Sequence, residues 1–131
     1  MIPDFGVTVT RDGGAALMRI SGELDVAAAP ELRRHLIDLV DEDVRQVTMD
    51  LAAVSFIDSS GLSVLVSCLK RLRELGGDLA LRSPTANTMK VFEITGLTEI
   101  FAIVDGDAVP APADRGGRGP DATPEQSSQV A

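Results

Sequence analysis

The sequence predicts one α/β domain: a single small, mixed but mostly parallel β-sheet with an N-terminal antiparallel hairpin and about three to four helices packed on it. Three observations predict this class. The 131 residues suit one hydrophobic core and are too few for two comfortable ones. Beyond a hairpin-like start, strand and helix patterns alternate up to residue 104, the order that gives parallel pairing with right-handed crossovers. The apolar residues, 44% of the chain, include no Trp, no Tyr and only four Phe, so the core must be aliphatic and close-packed.

Val7 and Val9 alternate with Thr8 and Thr10, the RDGG segment from Arg11 supplies turn residues, and Ala16, Met18 and Ile20 alternate again, predicting the hairpin. After GELD, Pro30 sits where a first helical turn tolerates it, and Leu32, Leu36, Leu39 and Val40 recur at helical spacing. The first helix is therefore expected over 28–41. Val47, Met49 and Leu51 predict a strand. Leu62, Leu65, Val66, Leu69 and Leu72 mark the apolar face expected of a second helix, stopped by Gly76 and Gly77. Leu79 and Leu81 predict a short strand. Pro84 opens a third helix with Met89, Val91 and Phe92 inward and Gly96 at its end, and 100–104 reads as the last strand.

Composition changes sharply at Asp105. The remaining 27 residues hold four of the seven prolines, four of the twelve glycines and two valines as their only sizeable aliphatics. Such a segment has too little apolar surface to offset the entropy of ordering it, so 1–104 is read as the domain and 105–131 as a disordered, acidic, Pro/Gly-rich tail. The tail carries −3 of the formal net charge of −8, leaving −5 on the domain. No Lys/Arg run long enough to follow a phosphate backbone occurs, so nucleic acid is not an expected partner. No apolar run approaches the ~20 residues of a membrane span, the start MIPDFG lacks the regions of a signal peptide, and the single Cys68 cannot form an internal disulfide. A soluble cytoplasmic protein, with no membrane contact, is expected.

The chemistry-bearing stretch is SFIDSSGLSVL, 55–65, which puts an acid, two hydroxyls and a glycine between a strand and a helix. Loops that follow parallel strands gather at the carboxyl edge of the sheet, where sites usually form, and Asp25, Asp58 and Ser59 belong to two of them. Asp58 or Ser59 can cap the second helix by accepting backbone N–H bonds, a role that contributes about 1 kcal/mol. Alternatively, one serine is a phosphorylation switch: a phosphate at a helix N-terminus is tolerated by the fold, but it adds about −1.5 to −2 charges to any surface docked there. Gly61 fits both readings, because it lets another backbone approach closely.

GELDVAAAPELRRHL, then DLAAVSFIDSSGLSVLVSCLKRLRELGGDLAL, then FEITGLTEIF resemble, in order and separation, the signature segments of the STAS-domain anti-sigma factor antagonists of bacteria. The resemblance covers about 8–104 and implies a STAS-like fold. It also implies a protein that binds an anti-sigma factor, itself a serine kinase, and thereby frees a sigma factor for transcription. The family's phosphoacceptor falls on Ser59, with Asp58 as the preceding acid and Asp25 as the acid of the neighbouring GELD loop. Ser60, Gly61 and Leu62 match the start of the docking helix. Dephosphorylated Ser59 then means partner bound, phosphorylated Ser59 partner released, and a serine phosphatase resets the switch. Relatives usually continue from the last strand into an amphipathic helix, whereas DGDAVPAPADRGG argues against one here. The rival reading is a ligand-sensing or scaffold STAS domain in which Ser59 is only a helix cap; a concave apolar pocket at the edge loops favours that rival and an exposed Ser59 on a flat surface the switch.

No enzyme is expected. Ser59 has no His at hand to activate it, and no phosphate-cradling glycine loop is present. His35 lacks companions at metal-ligand spacing, so neither metal nor cofactor is expected. Cys68 reads as a small buried apolar residue, Asp41, Glu42 and Asp43 as a solvated helix end, and Lys70, Arg71 and Arg73 as the wet side of the second helix.

Overall fold

The structure, a computed structural model, describes residues 5–105. The elements run β1 (Gly6–Asp12), β2 (Ala15–Leu24), α1 (Ala29–Asp41), β3 (Gln46–Ile57), α2 (Ser59–Glu74), β4 (Asp78–Arg82), α3 (Ala86–Ile94), a 3-10 turn (Leu97–Glu99) and β5 (Ala102–Val104). The five strands lie in sequence order in one sheet. β1 and β2 are antiparallel across the Gly13–Gly14 turn, and β2, β3, β4 and β5 are parallel. This is the mixed, mostly parallel sheet expected from the alternation of patterns. The tail, the fate of the chain after β5 and most of the 105–131 segment lie outside the described residues.

Register sets the core. Met18, Met49 and Leu81 stand side by side across three strands and are all fully buried, as are Leu32, Leu36 and Leu39 of α1 and Leu65, Leu69 and Leu72 of α2. Phe92 of α3 meets Phe101 edge to face, with ring centroids 6.1 Å apart, and joins the same cluster. The next row, on the opposite face, is polar. Asp50 bridges Arg82 at 3.2 Å and Arg19 at 3.7 Å, linking β2, β3 and β4.

Several elements differ in detail from the sequence expectation. β3 runs on through Ala52–Ile57 because, beyond Asp50, it pairs with β2 alone, in a register broken between Arg19 and Ser21 and again between Gly22 and Glu23. Those irregularities spoil the two-residue alternation, so burial falls on Leu51, Val54 and Ile57, every third residue, and the pattern does not read as a strand. On α2 the buried face is Gly61, Val64, Leu65, Leu69 and Leu72, while Leu62 and Val66 are half-buried. Gly61 joins the buried face because the first turn of the helix sits against Leu24 at the end of β2. On α3, Phe92 is fully buried as expected and Thr88 with it, Val91 is half-buried against the core, Met89 is only half-buried, and Thr85, not Pro84, caps the helix. The last strand is shortened to Ala102–Val104 by the 3-10 turn before it.

The α2–β4 connection is closed by Gly77, whose N–H donates to the Leu72 carbonyl at 2.7 Å. A Cβ at Gly77 overlaps the Arg45 carbonyl group, which receives the Asp78 N–H at the start of β4. Gly77→Ala is therefore expected to lower the unfolding free energy by more than about 2 kcal/mol, since backbone rather than a flexible side chain must move. Urea unfolding followed by circular dichroism checks this, and an unchanged midpoint contradicts it.

Candidate functional site

The first turn of α2 is built by Asp58. Its backbone is extended (φ −115°, ψ −173°), and its carboxylate accepts hydrogen bonds from Ser60 N–H at 2.8 Å and Gly61 N–H at 3.2 Å. Asp58 is thus the N-cap, and Ser59 is the first residue of the helix. The Ser59 side chain is exposed, and its hydroxyl has no hydrogen-bond partner among the described residues. Of the two capping candidates, the acid takes the role and the serine is left over.

Gly61 explains how the turn is held in place. It is buried, and a Cβ built on it lies 2.5 Å from the Leu24 carbonyl oxygen and 2.7 Å from Leu24 Cγ. The Asp58 N–H donates to that same Leu24 carbonyl at 3.3 Å. The close approach that the glycine permits is therefore to the end of β2 in its own chain. Gly61 offers no surface of its own; it fixes how high Ser59 stands above the sheet edge.

Asp25 follows Leu24. Its carboxylate accepts from Ala27 N–H at 3.1 Å and Ala28 N–H at 3.0 Å, which starts α1 in place of the missing side-chain cap at Ala28. The structure brings Asp25, Asp58, Ser59, Ser60 and Leu62 to one edge through Leu24, but the Asp25 carboxylate turns onto its own loop rather than toward Ser59. Ser60 and Leu62 are half-buried. Two further apolar residues in the adjoining segments are exposed, Val26 at 70% and Phe56 at 47%. Sequence reasoning missed both. Phe56 gives a usable signal, because a rare aromatic next to DSS in a chain with four Phe falls outside every buried pattern.

The surface at Ser59 is shallow, bounded by Leu62, Ser63, Val66 and Ser67. A groove between α1 and α2, past Val26, Arg33, Ile37, Ser60 and Ser63, starts beside it. Cys68 lies further along that groove, half-buried, and burial pushes its thiol up to about 11 against an opposing pull from the Arg33 guanidinium. A thiol in that state is a poor nucleophile. His35 is half-buried on α1, and among the described residues no cluster of His, Cys, Asp or Glu could hold a metal ion. No described helix is long and apolar enough to cross a membrane.

Residues 7–107 match the family model described as STAS domain. The chain belongs to the STAS domain family. Its relatives include the anti-sigma-B factor antagonist of Bacillus subtilis, 34% identical over 100 residues that cover 76% of this chain and 91% of the relative. Among solved structures it resembles an anti-sigma factor antagonist from Mycobacterium paratuberculosis, with 26% identity, a TM-score of 0.70, and 77% of this chain and 86% of the other covered. It also resembles SpoIIAA of Bacillus in its unphosphorylated form, with 27% identity, a TM-score of 0.66, and 79% and 88% covered. The resemblance read from the three sequence segments is therefore correct. In this STAS domain the DSSG stretch forms the first turn of α2, resting on the end of β2.

The cap and the spacer make separate contributions that mutation resolves. Asp58→Ala is expected to cost about 1 kcal/mol, the value of one N-cap. Gly61→Ala is expected to cost more than about 2 kcal/mol, because the methyl collides with the Leu24 backbone. Thermal unfolding of the two variants in parallel measures the order, and a less stable Asp58→Ala contradicts it.

Proposed function

We propose that this STAS domain is an anti-sigma factor antagonist that catalyses no reaction and binds an anti-sigma factor that is also a serine kinase. Phosphorylation of Ser59 ends the binding, and a serine phosphatase restores it. Dephosphorylated Ser59 lets the domain hold the anti-sigma factor and so frees a sigma factor. The observation that carries this reading is the exposed Ser59 hydroxyl, released from capping because Asp58 already bonds the Ser60 and Gly61 amides.

The electrostatics fit a switch that acts on the partner and spares the fold. Asp58 occupies two of the free N–H groups of the first turn, so a phosphate on Ser59 finds few donors to neutralise it and stands beside a carboxylate. In water that arrangement costs little, as a phosphate of about −1.5 to −2 and a carboxylate ~5 Å apart at an effective dielectric near 80 repel by roughly 1–2 kcal/mol, a cost shared by the unfolded chain in which the two residues are also neighbours. In a closed interface the effective dielectric falls toward 20 and the same pair repels by about 5–7 kcal/mol, to which desolvation of the phosphate adds. Modification therefore weighs on the complex far more than on the free domain. Asp25, Asp58, Ser59, Ser60 and Leu62, with Val26 and Phe56, make the docking edge, while Gly61 positions it. The relatives' names support the antagonist role, and SpoIIAA is a relative distinguished by its phosphorylation state.

Incubation of the chain with candidate anti-sigma kinases and ATP, followed by mass spectrometry, is expected to place a single phosphate on Ser59. Ser59→Ala is expected to lose the label and keep partner binding, and Ser59→Asp to weaken binding at least tenfold. Label on Ser60 or Ser63 moves the site, and binding unaltered by phosphate on Ser59 overturns the proposal.

A further inference from the structure

At the end away from Ser59, the groove between α1 and α2 deepens into a cavity of about 290 Å³. Its floor is apolar and buried, made by Leu36 of α1, Val47 of β3 and Leu72 of α2, with half-buried Val40 at the side. Its open end is charged. Arg33 and Arg71 stand there with exposed guanidinium groups, accompanied by one acid, Asp41. Arg71 is 3.6 Å from Glu74, but Arg33 has no carboxylate partner among the described residues. Arg33 and Cys68 line the same cavity, and the Arg33 guanidinium pulls the Cys68 thiol downward against the larger effect of burial.

We propose that this cavity binds a small aliphatic carboxylate, with its chain on the Leu36, Val47 and Leu72 floor and its head on Arg33 and Arg71. Volume sets the size. With each heavy atom taking about the 30 Å³ that a water molecule occupies in the liquid, the space holds roughly ten, the count in an eight-carbon acid, and its open end leaves room for the two further atoms of a ten-carbon acid. It lies just below the usual range for ligand pockets, in the kind of place between packed helices where such sites occur. Charge sets the sign. Arg71 is shared with Glu74, which leaves Arg33 as the guanidinium at the opening without a carboxylate partner among the described residues, so an anionic head is preferred there to a neutral or cationic one. The half-buried Cys68 thiol, pushed up to about 11 by desolvation, is in keeping with the apolar floor of Leu36, Val47 and Leu72 beside it. Arg33 and Ile37 line both this cavity and the part of the groove beside Ser60 and Ser63, so the site adjoins the docking edge without including Ser59. Its existence is independent of the switch.

Titration of the full, ¹⁵N-labelled chain with sodium octanoate or sodium decanoate, below the micellar range, tests it by amide shifts. Decanoate is expected to bind one to one and saturably, to shift the amides of Arg33, Val40, Cys68 and Arg71, and to leave those at Ser59 in place. Two extra buried methylenes are expected to make it about fifteenfold tighter than octanoate. Decanol is expected to bind at least tenfold more weakly than decanoate, and Arg33→Glu to lower decanoate affinity at least tenfold while leaving the thermal midpoint unchanged. Saturating decanoate is also expected to slow alkylation of Cys68 by iodoacetamide at pH 8. Non-saturating or scattered shifts, equal binding of decanol, or an Arg33→Glu variant that binds like the parent overturns the proposal.

Discussion

The arrangement of the site depends on the contact of Gly61 with Leu24. A helix that follows a parallel strand normally stands off the sheet by the thickness of a side chain. Here the first turn of α2 rests directly on the end of β2, with the space for a Cβ already occupied by the Leu24 carbonyl and side chain. The same carbonyl receives the Asp58 N–H, so steric fit and hydrogen bonding fix the turn against one peptide unit. Asp58 can then reach the Ser60 and Gly61 amides as the cap, and Ser59 projects outward at the rim. In the proposed switch, stability and signalling are divided between adjacent residues. The acid and the glycine hold the helix, and the serine is free to be modified.

That division bears on where the energy of a modification goes. Helix N-termini bind phosphate well when their amides are unpaired. In this domain Asp58 already uses two of them, so a phosphate placed on Ser59 would be held weakly and would contribute its charge to the surface instead. On the proposed reading, the exposed Val26 and Phe56 are the apolar anchors for a partner. Their burial in a complex would draw the added charge into a lower dielectric, where each like-charge pair costs several times its value in water. The groove between α1 and α2 lies beside this edge and leads away from it, so the helix pair offers a surface at the rim and a cavity behind it.

Much of the fold was legible because the signals were local and strong. The RDGG turn between alternating valines and Ala16, Met18 and Ile20, Pro30 in the first turn of α1, and Gly76 and Gly77 after α2 all describe what the structure contains. The failures share a cause, which is tertiary pairing that breaks a period. β3 exceeds its predicted span because two irregularities against β2 turn a two-residue alternation into a three-residue one. α2 buries Gly61 and Val64 ahead of Leu62 because its first turn sits against Leu24, and a glycine on a helix carries no hydropathy signal that would show it. At the site, the DSSG stretch could be placed at a helix start from residue types alone. Which of Asp58 and Ser59 is the cap could not, since both are good caps and only the geometry at Leu24 distinguishes them.

The central claim is that Ser59 can be charged without disturbing the helix it begins. It is tested most directly by preparing the chain with phosphoserine at position 59 and comparing its thermal midpoint and amide spectrum with those of the unmodified chain. The expected result is a midpoint within about 2 °C, a change of less than about 0.5 kcal/mol for a domain of this size, with shifts confined to the loops around Asp25 and Asp58 and the first turn of α2. A midpoint lowered by 5 °C or more, or shifts reaching Leu65, Leu69 and the β-sheet core, would contradict it and make the serine part of the scaffold.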